Sequence, residues 1–339
     1  MTIDYYVPQG LNAERDYPAL VPDPTVEGFG ENHAFWLCDP QERIHLNVHF
    51  NTWDERGCYA MRRGKLYILT GGGRMLLLTE SGFASTPEGP GSATITSKCL
   101  QPFRRWTLEF NGMLNDVTAP ITVDGSPARP VLVPASFRFE MEMIAPAWQQ
   151  GALTPGGLGP VKDFIGGQRY EQLFRFSGTV EFEGAPHQLS GFGNRTHRWG
   201  MRNYSAMLGH CWGAAMFPGG LGFGFQCYPD DSGAMLWSEA CLIRDDRIEP
   251  AEVIAAPWLA DFHRTERARD IVLKDSAGQV LTINGEMIAS CPTVMTPGRT
   301  SDDDVIINQS VYRYCLGQET TVNMMERSIR RKFLRENAR

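Results

Sequence analysis

The residues of this chain best suited to chemistry lie in one run of twelve, Gly191-Phe192-Gly193-Asn194-Arg195-Thr196-His197-Arg198-Trp199-Gly200-Met201-Arg202. Three glycines, three arginines, a histidine and a tryptophan are more than an ordinary strand needs. On a strand, side chains alternate between faces, so Arg195, His197 and Trp199 point together while Thr196 and Arg198 point the other way. An imidazole titrates near neutrality, which makes His197 a candidate general acid or base. Arg195 or Arg202 can orient a substrate oxygen or stabilise developing negative charge. Glycines at 191, 193 and 200 permit bends and close backbone approach. The same set can equally serve the fold alone, with the arginines satisfying buried carboxylates or carbonyls and Trp199 packed in a core.

The elements that must position this run are strands. The 35 glycines and 22 prolines fall at short intervals between runs rich in aromatic and β-branched residues, the punctuation of many strands joined by turns. From Ile44 to Phe50 the polar residues His45, Asn47 and His49 alternate with Leu46, Val48 and Phe50; the polar face can line a site or meet water, and water is the expectation. Strand rise separates His45 from His49 by about 13 Å, too far to share a metal, and no metal site is expected. Thr70-Gly71-Gly72-Gly73 between Lys65 to Leu69 and Arg74 to Leu78 reads as a hairpin turn, as does Pro218-Gly219-Gly220 between Cys211 and Phe225. Residues 149–167 hold six glycines and two prolines, which marks a domain boundary or a long loop. Two domains are therefore expected, 1–160 and 161–339. Helix is expected in two places, Pro257 to Arg267 and the basic tail Met325 to Arg335.

Charge and motif content exclude several classes. The 32 Lys and Arg stand against 39 Asp and Glu, a net charge of −7 with both signs scattered, which offers no field to gather a nucleic-acid backbone. The eight cysteines form no C-x-x-C pair or regular framework and read as reduced core thiols. A signal peptide and a run of ~20 apolar residues are both missing, so the expected location is the cytoplasm without integral membrane association. Gly220-Leu221-Gly222-Phe223-Gly224 lacks the third glycine of a dinucleotide turn, and no nucleophile elbow, zincin or kinase motif is present. No cofactor is expected. Ordinary side chains in a pocket must do any chemistry.

Tyr170-Glu171-Gln172, followed by the strand into Ser190 to Arg202, resembles the Gly-x-Gly-x-Arg-x-His-x-Trp-Gly-x-Arg signature of the AttH-like and carotenoid 1,2-hydratase-related proteins, a group of tandem lipocalin-like folds that includes lipocalin-like Diels–Alderases. Glu31-Asn32-His33-Ala34-Phe35-Trp36 is similar to that family's glutamate and aromatic segment near the start of the first barrel, and Met324-Met325-Glu326-Arg327-Ser328 to its closing strand. Arg198 and His33 depart from the pattern. The resemblance implies an all-β fold of two lipocalin-like antiparallel barrels packed together, with few short helices and an apolar ligand pocket.

An enzyme working without a cofactor on a hydrophobic small molecule of isoprenoid, steroid or polyketide type then fits these parts. Hydration, dehydration or double-bond isomerisation is the expected chemistry, with pericyclic cyclisation or non-catalytic carriage of a lipid or terpenoid as alternatives. His197 is the first proton-transfer group, His33 or Glu31 the second, and Arg195 the charge stabiliser. Trp36, Tyr170, Trp199, Trp212 and Arg202 are expected to hold the substrate. A homodimer is compatible with all of this.

Overall fold

A computed structural model describes residues 6–8, 10–53, 62–82, 86–118, 131–163, 165–201, 203, 207–230, 232, 234–256, 268–295 and 304–332. Among these residues no helix reaches seven residues. The strands, in chain order, are β1 (Gly30–Cys38), β2 (Ile44–Trp53), β3 (Arg62–Thr70), β4 (Met75–Gly82), β5 (Ile95–Gln101), β6 (Arg105–Asp116), β7 (Val131–Met143), β8 (Trp148–Gln149), β9 (Gln168–Phe182) and β10 (Ala185–Gly200). They continue as β11 (Gly209–Met216), β12 (Gly222–Pro229), β13 (Met235–Arg244), β14 (Arg247–Ala255), β15 (Ala268–Asp275), β16 (Val280–Met295), β17 (Val305–Leu316) and β18 (Glu319–Arg330). Short 3-10 turns at Ala13–Asp16 and Gly159–Val161 complete the set.

The chain divides into two compact units, one of residues 1–147 and 172–200 and the other of 148–171 and 201–339. In the first, the sheet runs β10-β1-β2-β3-β4-β6-β7-β9, and β9 pairs with β10. That last pairing brings the two ends of the run together, so eight strands form a closed circuit. The β9–β10 hairpin is tight because Glu183 (φ 56°) and Gly184 (φ 75°) both take the left-handed conformation that matches a two-residue turn to the twist of its strands. The inner face of this circuit is apolar: Phe35, Leu46, Val48, Phe50, Leu66, Ile68, Trp106, Phe139 and Phe174 belong to one buried cluster. The second unit is a closed barrel, β11 to β18 in sequence order, with Cys211, Phe223, Phe225, Leu242, Ile271, Tyr312 and Met325 in its core. The all-β expectation holds, and both glycine-marked hairpins form between β3 and β4 and between β11 and β12.

Two sequence expectations are corrected. His45 and Asn47 do not face water; they are 1% and 6% exposed, and burial lowers the His45 pKa to about 4. Alternation assigns a residue to a face but does not say what covers that face. The tail does not turn helical at Met325: β18 continues to Arg330, pairing with β11 on one side and β17 on the other. Closing the barrel satisfies two rows of backbone groups, which outweighs local helix preference, and it buries Arg327 and Arg330 instead of wetting them. The expected helix over 257–267 lies outside the described residues. The seven described cysteines are free thiols.

Candidate active site

The pairing of β1 with β10 assembles the candidate cluster. Its register sets His33 opposite His197 and Glu31 opposite Trp199. Phe35 and Leu37 of β1 belong to the inner core, so the alternating Glu31 and His33 share that inner face with Arg195, His197 and Trp199. Gly193 lets the strands approach: a Cβ there would overlap the Trp36 carbonyl oxygen and the Phe174 ring. Gly200, at φ 110°, ends the strand in a conformation that favours glycine.

His197 Nε2 lies 2.9 Å from Glu31 Oε1, and His33 Nε2 lies 3.7 Å from the same oxygen. The two imidazoles stack with centroids 3.8 Å apart and planes 20° from parallel. Trp199 flanks His197 at 4.8 Å and Trp106 flanks His33 at 6.2 Å. The Ala19 N–H donates to both carboxylate oxygens of Glu31, at 2.9 and 3.1 Å. All three side chains are at most 3% exposed. Burial alone would raise the Glu31 pKa, but the hydrogen bond with His197 and the adjacent His33 imidazole hold it well below the usual carboxylate range. Glu31 is therefore an ionised carboxylate fixed against two imidazoles.

Arg195 lies on the same face but is committed to protein partners. Its Nη1 donates to Asp16 Oδ1 at 2.6 Å and its Nη2 to Gln172 Oε1 at 2.5 Å. Asp16 also accepts from the Phe103 N–H at 2.5 Å and from Trp106 Nε1 at 3.1 Å, and Gln172 donates to the carbonyls of Phe103 and Ala145. Trp36 lies on the opposite face of β1 from His33, across from Asn194. Tyr170 and Trp212 belong to the second unit, and Arg202 lies outside the described residues. Glu31, His33, His197 and Trp199 are thus the sequence candidates that the first unit brings together. A surface groove of about 380 Å³, lined by Arg105, Glu140, Glu142, Arg175 and neighbours, contains none of the candidates.

Sequence reasoning missed a second cluster. On the β11–β18 pair, His210 stands opposite Ser328 and Trp212 opposite Glu326. His210 Nε2 is 2.8 Å from Glu326 Oε1, and its Nδ1 is 2.7 Å from Ser328 Oγ. Trp212 Nε1 donates to Glu326 Oε1 at 3.1 Å, and Gln309 Nε2 to Oε2 at 2.7 Å. Burial raises and these partners lower the Glu326 pKa, with a net shift downward. An arginine overlies the tryptophan in both clusters: Arg15 over Trp199 at 5.8 Å and Arg169 over Trp212 at 4.3 Å. The signal was available as H-x-W at 197–199 and again at 210–212, facing E-x-H at 31–33 and E-x-S at 326–328.

Glu31, His33 and His197 offer three donor atoms within 4.8 Å of one another, a His₂Glu set of the kind that suits zinc. The second cluster has Ser328 at the position of His33.

Two all-β units, each closed by the pairing of its first and last strands, are the architecture of the AttH-like tandem lipocalin-like proteins, as the sequence resemblance implies. The chain belongs to the family described as Domain of unknown function (DUF7064), whose model matches residues 13–330. Among solved structures it is similar to an AttH protein of Nitrosomonas europaea, with 12% identity, 90% of this chain and 93% of that chain covered, and a TM-score of 0.52. Kievitone hydratase of Nectria haematococca matches at 11% identity over 92% of this chain and 91% of that one, with a TM-score of 0.50. CghA matches at 9% identity over 96% of both chains, with a TM-score of 0.55. No curated protein matches the chain in sequence.

Proposed function

We propose that the protein is an enzyme that adds water to, or removes it from, a hydrophobic small molecule by proton transfer at the Glu31–His197 pair, without a cofactor. The observation that carries this reading is the 2.9 Å contact between a buried, ionised carboxylate and an imidazole on an aromatic inner face. A carboxylate fixed in this way stabilises an imidazolium beside it, and exclusion of bulk water strengthens the interaction of the two charges.

In the hydration direction, His197 delivers a proton to one carbon of a double bond. A water molecule adds to the other carbon and loses a proton to His33, and the two imidazoles exchange the proton through Glu31 to reset the site. Dehydration runs the same steps backwards. If the second proton is instead taken from carbon, the outcome is isomerisation of the double bond. Trp199 and Trp106 supply aromatic faces that stabilise cationic character on the substrate. Arg195, held by Asp16 and Gln172, acts by positioning its strand. The likeness of fold to kievitone hydratase is consistent with this reaction class.

Incubation with a panel of apolar alkenes and alcohols in ¹⁸O-labelled water tests the reading. Incorporation of label at carbon by the wild type, lost in His197→Gln and Glu31→Gln variants that still fold, is the expected result. Unchanged turnover in His197→Gln would remove the catalytic assignment and leave a carrier of apolar molecules.

A further inference from the structure

The two His–Glu clusters share their residue pattern and register but differ at one position, His33 against Ser328. That difference gives the first cluster a third donor atom. From the geometry we infer that Glu31, His33 and His197 bind a divalent transition-metal ion, which competes with substrate chemistry at the same residues.

Donor spacing supports this. Four-coordinate zinc holds N and O ligands at about 2.0–2.2 Å, so adjacent donors lie about 3.3 Å apart. The distances from Glu31 Oε1 to the two Nε2 atoms, 2.9 and 3.7 Å, bracket that value. The layout also belongs to a strand pair: Glu31 and His33 are two residues apart on one face of β1, and His197 is the cross-strand neighbour of His33, close enough for their side chains to converge. Both Nε2 atoms approach the same carboxylate oxygen, and the three donor atoms lie within 4.8 Å of one another. The Ala19 N–H bonds to Glu31 orient that carboxylate from behind, the outer support that metal ligands require. The set contains no thiolate, and three protein ligands leave a fourth position for water or a substrate oxygen, which distinguishes an open site from a closed structural one.

Competition with catalysis rests on the function proposed above; metal binding does not. The full-length protein, stripped with chelator, is therefore titrated with Co²⁺ in the absence of substrate and followed by its visible ligand-field bands. One equivalent with bands of nitrogen and oxygen ligation is expected, absent from His33→Ser and His197→Gln variants whose thermal unfolding shows them folded. No binding by the wild type, binding that persists in His33→Ser, or a sulfur-to-metal charge-transfer band would overturn the inference. If Co²⁺ binds and the wild type has no hydration activity, the metal site stands and the catalytic reading falls. If hydration activity is present without Co²⁺ binding, the reverse holds.

Discussion

The β1–β10 and β11–β18 pairs carry one pattern on opposite sides of their sheets. In the first unit Glu31, His33, His197 and Trp199 share the face of Phe35, among the apolar core. In the second, Cys211 and Met325 belong to the barrel core, so the alternating His210, Trp212, Glu326 and Ser328 face outward. The first His–Glu pair is 3% and 2% exposed, the second 11% and 13%. The difference teaches that a His–Glu pair does not define a site by itself. What matters is the face it occupies and the third residue beside it: an imidazole that can relay protons or bind metal, or a hydroxyl that ties down the ring.

The largest test of this contrast is a paired substitution. His197→Gln is expected to lower turnover by about 10²- to 10⁴-fold, the usual worth of a positioned acid or base. His210→Gln is expected to leave turnover within about threefold, because loss of a hydrogen-bonded partner costs stability of about 1–3 kcal/mol and not chemistry. Steady-state kinetics and denaturant unfolding on both variants decide it. Equal loss of turnover would break the distinction between the faces.

Next in size is the clamp behind the inner cluster. Asp16→Asn removes the negative charge that faces the Arg195 guanidinium, 2% exposed, and leaves the neutral Gln172 in place beside it. Removing one partner of a buried pair is expected to cost about 3–5 kcal/mol, read from urea unfolding. A cost below about 1 kcal/mol would mean that Arg195 is available to a ligand after all.

Part of this arrangement was legible in the sequence. Alternation alone placed Arg195, His197 and Trp199 on one face, and glycine at 193 and 200 signalled close approach and a strand end. Grouping Glu31 with His197 rests on the family resemblance and not on spacing, since 166 residues separate them and their register depends on the pairing of β1 with β10. Asp16 ends the short turn Ala13–Asp16 ahead of the first strand, where no alternation ties it to Arg195. Alternation puts His45 on the correct face of its strand but leaves its environment open, because the period of a strand carries no information about a covering layer.

His45 lies on the outer face of the first unit, since Leu46, Val48 and Phe50 take the inner one. His45 is neutral in the folded protein, with its pKa lowered to about 4 from 6.5 by burial. Above pH 6.5 neither the folded nor the unfolded state holds the proton, and His45 leaves stability unaffected. As pH falls from 6.5 to 4, the unfolded chain takes up the proton first, so stability falls with decreasing pH by about 1.4 kcal/mol per unit. His45→Gln is expected to flatten that part of the stability profile while leaving the acid-side loss from Glu31 and Glu326. An unchanged slope would show that His45 is protonated in the fold.

The finest test exchanges the one residue by which the clusters differ. Ser328→His supplies the outward pair with the third donor found inside, and a second Co²⁺ equivalent is expected. Its affinity should fall within about 10- to 100-fold of the inner site, the range over which outer hydrogen bonds change metal binding. Here Trp212 and Gln309 already donate to Glu326, whereas Ala19 supports Glu31. Ser328 is fully buried, so the larger ring should cost about 1–3 kcal/mol of stability. The exchange in both directions, His33→Ser with Ser328→His, should move the single equivalent from the inner to the outer face. Binding that stays inside would show that register and residue type are insufficient, and that the inner face contributes something beyond its three donors.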